Sequence, residues 1–172
     1  DIMTINTTGS YLISNHFSKK NSNAGSQLTI SMSSAGGIIE SSYFEQGPNS
    51  TSPVKISIAN PDGSAPSCYG LQFVNNSVIG DPSNRTILFD AIDGADVSGR
   101  TTIVGNNISN NNFFNGSYAV AFRRSGTNGI LANNTVHGNT LMNGTTFYTE
   151  TAGSQNNRIR DNTLDGVNVN EN

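Results

Sequence analysis

The chain repeats one hexapeptide: Ile103-Val104-Gly105-Asn106-Asn107-Ile108, then Leu131-Ala132-Asn133-Asn134-Thr135-Val136, then Ile159-Arg160-Asp161-Asn162-Thr163-Leu164. Each reads apolar, two variable residues, Asn, one variable residue, apolar. The same pattern stands earlier at Leu12/Asn15/Phe17 and Phe73/Asn76/Val78, and at Ile39/Ser42/Phe44 with Ser in place of Asn. First positions fall at 12, 39, 73, 103, 131 and 159, so the intervals are 27, 34, 30, 28 and 28.

Two further positions keep step. Sixteen residues after the first lie Leu28, Phe89, Ala119 and Phe147; in the second copy Val54, Ile56 and Ile58 alternate around that place. Ten residues after it lie Phe113, Leu141 and Val169. Alternation such as Val54-Lys55-Ile56-Ser57-Ile58 has the period of a half-buried strand. No stretch sustains a helical apolar period. One repeat is too small to bury its own core, so repeats must stack. The Asn between paired apolar positions is expected at a bend, because it tolerates left-handed backbone. Equivalent Asn on successive coils can also bond through their amides. Five intervals at about 4.8 Å make a rod of roughly 24 Å.

The apolar-x-x-Asn-x-apolar repeat resembles the right-handed parallel β-helix superfamily of pectate lyases, polygalacturonases, alginate epimerases and phage tailspikes. The likeness runs from Leu12 to Val169 and implies an all-β, right-handed single-stranded parallel β-helix of about six coils. A left-handed β-helix would show hexapeptide periodicity, which is absent. A β-sandwich would not explain the phase-locked Asn. Residues 1–172 then form a single domain, with longer loops in the second and third coils, where all five prolines fall. The chain starts at Asp1, and Val167-Asn168-Val169-Asn170 still alternates near its end. It is therefore expected to be a fragment of a longer chain with open strand edges, covered by more protein or by a partner.

Composition narrows the function. Hydrophobic residues are 34% and charged residues 12%, both below the usual shares, while Asn alone numbers 26. Apolar residues at regular positions nevertheless mark a folded chain with a narrow core. A net charge of -3 with only 9 Lys and Arg argues against a nucleic-acid partner. No apolar run approaches the ~20 residues of a membrane span. Cys68 is the only cysteine, which excludes an internal disulfide. No cofactor motif or metal-ligand spacing is present, so no cofactor or metal is expected.

Aligning the coils brings candidate side chains together. Ser109, His137 and Asp165 form one column at 28-residue spacing. Their types suit nucleophilic chemistry, although an exposed polar ladder is the plainer reading; His137 and Asp165 also suit sugar binding or proton transfer. Asp93, Arg123 and Glu150 form a second neighbourhood, with Arg124 and Tyr148 beside them. Asp93 and Glu150 would be the carboxyl pair of a glycosidase, two coils or roughly 9.6 Å apart. Arg123 and Arg124 would hold anionic groups, and the Tyr148 ring would cover a sugar. A weak surface ion pair is the plain alternative. Arg158, Arg160 and Asp161 read as a solvated face or a subunit contact.

The Asn-Thr-Asp and Gly-His-Gly segments of polygalacturonases and the aspartate-rich calcium site of pectate lyases have no counterpart here, which weakens a pectinase reading. The resemblance is closest to a phage tailspike or receptor-binding protein. It implies a homotrimer at the virion surface, or another extracellular place, that recognises and in some cases cleaves a host-surface polysaccharide. A non-enzymatic structural or adhesin spacer is one rival. A secreted polysaccharide lyase, hydrolase or epimerase is the other. Whether the chain is an enzyme is left open by its residues.

Overall fold

A computed structural model describes residues 3–5, 11–19, 28–30, 34–46, 54–58, 67–82, 86–93, 102–124, 130–150 and 154–171. Strand β1 (Met3–Ile5) is followed by β2 (Tyr11–Ile13), β3 (His16–Lys19), β4 (Leu28–Ile30) and β5 (Ser34–Ala35). The same order recurs as β6 (Ile38–Glu40), β7 (Tyr43–Gln46), β8 (Val54–Ile58) and β9 (Ser67–Tyr69). It recurs as β10 (Gln72–Val74), β11 (Ser77–Ile79), β12 (Thr86–Asp93) and β13 (Thr102–Val104), then as β14 (Asn107–Ser109), β15 (Asn112–Phe114), β16 (Gly116–Arg124) and β17 (Ile130–Ala132). The last strands are β18 (Thr135–His137), β19 (Thr140–Met142), β20 (Thr146–Glu150), β21 (Arg158–Leu164) and β22 (Val167–Glu171).

These strands fall into three sheets. A six-stranded sheet runs β1-β4-β8-β12-β16-β20, and a four-stranded one runs β5-β9-β13-β17. The twelve-stranded sheet holds two rows, β2-β6-β10-β14-β18 and β3-β7-β11-β15-β19, joined because β21 pairs with both β18 and β19. Every pairing is parallel except that of β21 with β22. The chain is thus all-β, with mostly parallel strands, and no helix occurs among the described residues.

Several of the three-residue strands bury a single side chain. In β6, β10, β11 and β18 the central residue is buried and its neighbours are half-buried, at Ile39, Phe73, Val78 and Val136. Rings run through the core: Phe17 stacks on Phe44 at 5.0 Å, and Phe73 lies 6.1 Å from Phe44 and 5.0 Å from Phe89. Each buried Phe contributes roughly 1.5–3 kcal/mol.

Asn joins the strands at two different corners. Between the two rows of the twelve-stranded sheet stand Asn15, Ser42, Asn76, Asn111, Asn139 and Asn162, bonded in succession across 27, 34, 35, 28 and 23 residues. Where the four-stranded sheet meets the first row stand Leu71, Asn106, Asn134 and Asn157, across 35, 28 and 23 residues. The hexapeptides at Asn106 and Asn134 therefore belong to the second corner, and those at Asn15, Asn76 and Asn162 to the first. The even 28-residue spacing expected toward the C-terminus came from merging the two. The second and third intervals are the long ones, and the last is short.

The left-handed residue is the one before the repeat Asn. Ser14, Ser41, Asn75, Asn110 and Asp161 have φ of 52–56° and Gly138 has 64°. These six are exposed, and the residue that follows is buried at every layer but the first. The bend turns the next side chain inward, so Asn there meets backbone amides rather than solvent. Asn111 shows the result: Oδ1 accepts from Asn76 N and Nδ2, while its own Nδ2 donates to Phe73 O and Asn139 Oδ1. Each net bond stabilises by about 0.5–1.5 kcal/mol.

The C-terminal strand also differs from expectation. Asp165 and Gly166 both have positive φ, 46° and 83°, and Leu164 pairs with Val167. Two left-handed residues between paired strands make a type I′ hairpin, which Asp-Gly favours. β22 therefore folds back antiparallel on β21 and covers part of its edge.

Candidate functional site

Register decides which expected partners can meet. Phe122 stands opposite Glu150, so these two side chains share a face and Arg123 projects from the other. The side-chain contacts agree. Tyr148 Oη donates to Glu150 Oε2 at 2.6 Å, and the Tyr148 ring stands edge-on to Phe122 with centroids 5.8 Å apart. Arg123 turns instead to Asp90: Nε donates to Oδ1 at 2.9 Å, and Nη2 donates to Oδ2. The structure does not bring Arg123 and Glu150 together. Asp93 and Arg124 are backbone partners across β12 and β16; their side chains lie outside the described residues. The Tyr148 ring is buried, 4% exposed, so it is a core residue rather than an open sugar platform.

Asp90 is the acidic residue that the sequence reading missed. It is fully buried, while 42% of the Arg123 side chain remains exposed. Burial pushes its carboxyl above the usual carboxylate range, and the bonds from Arg123 pull the other way. The bond to Asp90 in turn raises the Arg123 guanidinium. The signal was one carboxylate inside the apolar run Ile87-Leu88-Phe89-Asp90-Ala91-Ile92.

The Ser109-His137-Asp165 column is also redrawn. His137 lies between Ser109 and Arg160 in register, and Asp165 lies beyond β21. Ser109 is 3% exposed. Asp165 Oδ1 accepts from Asn143 N at 2.6 Å. Asn143 Nδ2 bonds to Asn115 Oδ1, and Asn115 Nδ2 to Gly80 O, so Asp165 ends a third, outer ladder.

A polar hollow opens at the second Asn corner. It has a volume of about 410 Å³ and is lined by Asn133, Thr135, Asn156, Asn157 and Arg158. Glu150 reaches its wall, because Asn157 Nδ2 donates to Glu150 Oε2 at 3.0 Å. Local sequence explains the lining. Asn133 and Asn156 adopt left-handed φ of 56° and 53° and are exposed, which points Asn134 and Asn157 into the ladder. Thr135 and Arg158 follow as outward neighbours in register. Asn107 precedes Thr135 in the same row, and its Oδ1 is buried without a partner. The hollow thus offers amide, hydroxyl and guanidinium groups, with one carboxylate held by two donors. Its volume lies in the range of small-ligand sites, about 300–1,000 Å³.

No group of three or more His, Cys, Asp or Glu side chains that could hold a metal ion occurs among the described residues. No helix there is long and apolar enough to cross a membrane. No protein-family model, curated protein or solved structure matches the chain.

Proposed function

We propose that the chain is a right-handed parallel β-helix of about six coils that recognises a polysaccharide, in the manner of the phage tailspikes its repeat resembles. Three observations support the architecture: the fixed cyclic order of strands, their parallel register and the Asn ladders at two corners. A trimer on a virion or other extracellular surface belongs to the same reading and rests on the resemblance.

The observation that carries recognition is the hollow lined by Asn133, Thr135, Asn156, Asn157 and Arg158, with Glu150 on its wall. Planar amides and a carboxylate match the paired hydroxyls of a sugar ring, and the ladder behind them holds their backbone rigid. Rigid placement lowers the ordering cost of binding. Binding is better supported than cleavage. Hydrolysis needs two carboxyls about 5–9.5 Å apart, flanking one bond. Glu150 and the carboxyl bonded to Arg123 project from opposite faces of one sheet.

A glycan array probed with the full chain tests this. Retained glycans, lost in Asn156→Gly and Glu150→Ala variants that melt like the parent, are expected. Retention of none, with no depolymerisation of bacterial capsules, would leave the spacer reading in its place.

A further inference from the structure

We propose that the glycan is acidic and that its carboxylate or sulfate groups seat on Arg158 and Arg160, with His137 and Thr135 beside them; this rests on the carbohydrate reading above. In β21 Ile159 is buried, and Arg158 and Arg160 on either side are exposed. The two guanidinium stems leave one strand face about 6.6 Å apart. Thr135 and His137 are their register partners in β18, about 4.8 Å away. Four polar side chains thus stand at the corners of a small rectangle, and one edge of it, Thr135 and Arg158, lines the hollow.

No ion pair between described side chains takes up the charges of this patch. Among the described residues the ion pairs are His16 with Glu45 and Arg123 with Asp90, and neither involves Arg158 or Arg160. Two of the nearby acids have other bonds. Glu150 accepts from Tyr148 and Asn157, and Asp165 accepts from Asn143. Asp161 is exposed at the left-handed bend after Arg160. In a chain of net charge -3, two exposed arginines on one strand face form a local cationic feature. Guanidinium forks match planar carboxylates and sulfates through paired N–H donors. An acid group on the rectangle places its sugar ring over the hollow, where Asn133 and Asn156 offer amides to its hydroxyls.

The test uses the full chain and its Arg158→Gln/Arg160→Gln double variant, with polygalacturonate, alginate, dextran sulfate, neutral dextran and single-stranded DNA as probes. We expect binding to one or more of the acidic polysaccharides, weakened at high salt and at least tenfold weaker in the variant, with neutral dextran and DNA bound far less. Preference for polygalacturonate and alginate marks a carboxylate site, and preference for dextran sulfate marks a sulfate site. Acid-glycan binding undiminished in the variant, or neutral dextran bound equally well, would overturn the anionic site while leaving sugar recognition standing. DNA bound as tightly as the acidic glycans would overturn it in favour of general polyanion attraction. Absence of binding to every glycan, here and on the array, would overturn both.

Discussion

Asn111 Oδ1 accepts two hydrogen bonds from Asn76, one from its backbone N at 2.8 Å and one from its Nδ2 at 3.1 Å. One oxygen therefore satisfies two donors that are buried between layers. Asn111→Ala strands both donors, together with the Phe73 carbonyl that Asn111 Nδ2 serves. An unmet buried group costs about 1–3 kcal/mol, so the variant should lose roughly 3–5 kcal/mol in urea unfolding. Asn15→Ala, at the half-buried start of the same ladder, should lose under ~1 kcal/mol. Equal losses at both sites would show that ladder position is irrelevant.

Gly138 carries the left-handed bend at one layer, with φ of 64°, and a Cβ there would stand 2.5 Å from Asn110 Oδ1. Gly138→Ala should cost about 1–2 kcal/mol for the backbone alone, plus the displacement of Asn110. Adding Asn110→Gly removes the obstructing oxygen and suits that residue's own φ of 55°. The double variant should therefore be more stable than Gly138→Ala alone, which a double-mutant cycle of melting free energies measures. Strict additivity would count against the contact.

Asp90 and Arg123 make a pH-dependent contribution. The folded carboxyl of Asp90 is raised, so its share of stability is present in full below the ordinary value of 3.8 and declines as pH rises through the raised value. Arg123 opposes that decline by bonding the charged form. Arg123→Met should cost roughly 3 kcal/mol at neutral pH, the low end for a broken buried pair because the guanidinium is part-exposed. The loss should shrink as pH falls and Asp90 protonates. Arg123→Met in an Asp90→Asn background should lack this pH dependence. Urea unfolding across pH 3–8 decides the matter.

The Asp165–Gly166 hairpin should control how well the edge of β21 is covered. Gly166 has φ of 83°, which a β-branched residue resists by about 1–2 kcal/mol or more. Gly166→Val should release β22, speed amide exchange at Leu164 and Asn162, and promote self-association through the freed edge. Unchanged exchange would show that β22 is held by contacts other than its turn.

Much of the fold could be read along the chain. Leu28, Phe89, Ala119 and Phe147, picked out by phase, all lie on the six-stranded sheet in β4, β12, β16 and β20. The register there is one residue off for the last two: Phe89 pairs with Val120, and Val120 with Tyr148. A one-residue slip reverses the face of every side chain, which is why Asp93 and Arg123 appeared to share a column, whereas Asp93 pairs with Arg124. Val169, assigned by the same phase to a parallel layer, instead pairs antiparallel with Asn162.

Local chemistry determines the parallel stacking. A buried residue at the centre of each short strand, a left-handed residue and an inward Asn are repeated often enough to be recognised without coordinates. Which corner each copy occupies is not local. The two corners use the same hexapeptide because both must bend the chain and satisfy buried amides. Only the pairing of layers tells Asn106 and Asn134 from Asn111 and Asn139. That pairing set His137 beside Arg160, sent Arg123 to a buried Asp90, and turned Asp165-Gly166 into a reversal. The candidate site is an arrangement of neighbours 23 to 28 residues apart, and sequence spacing alone cannot choose between those intervals.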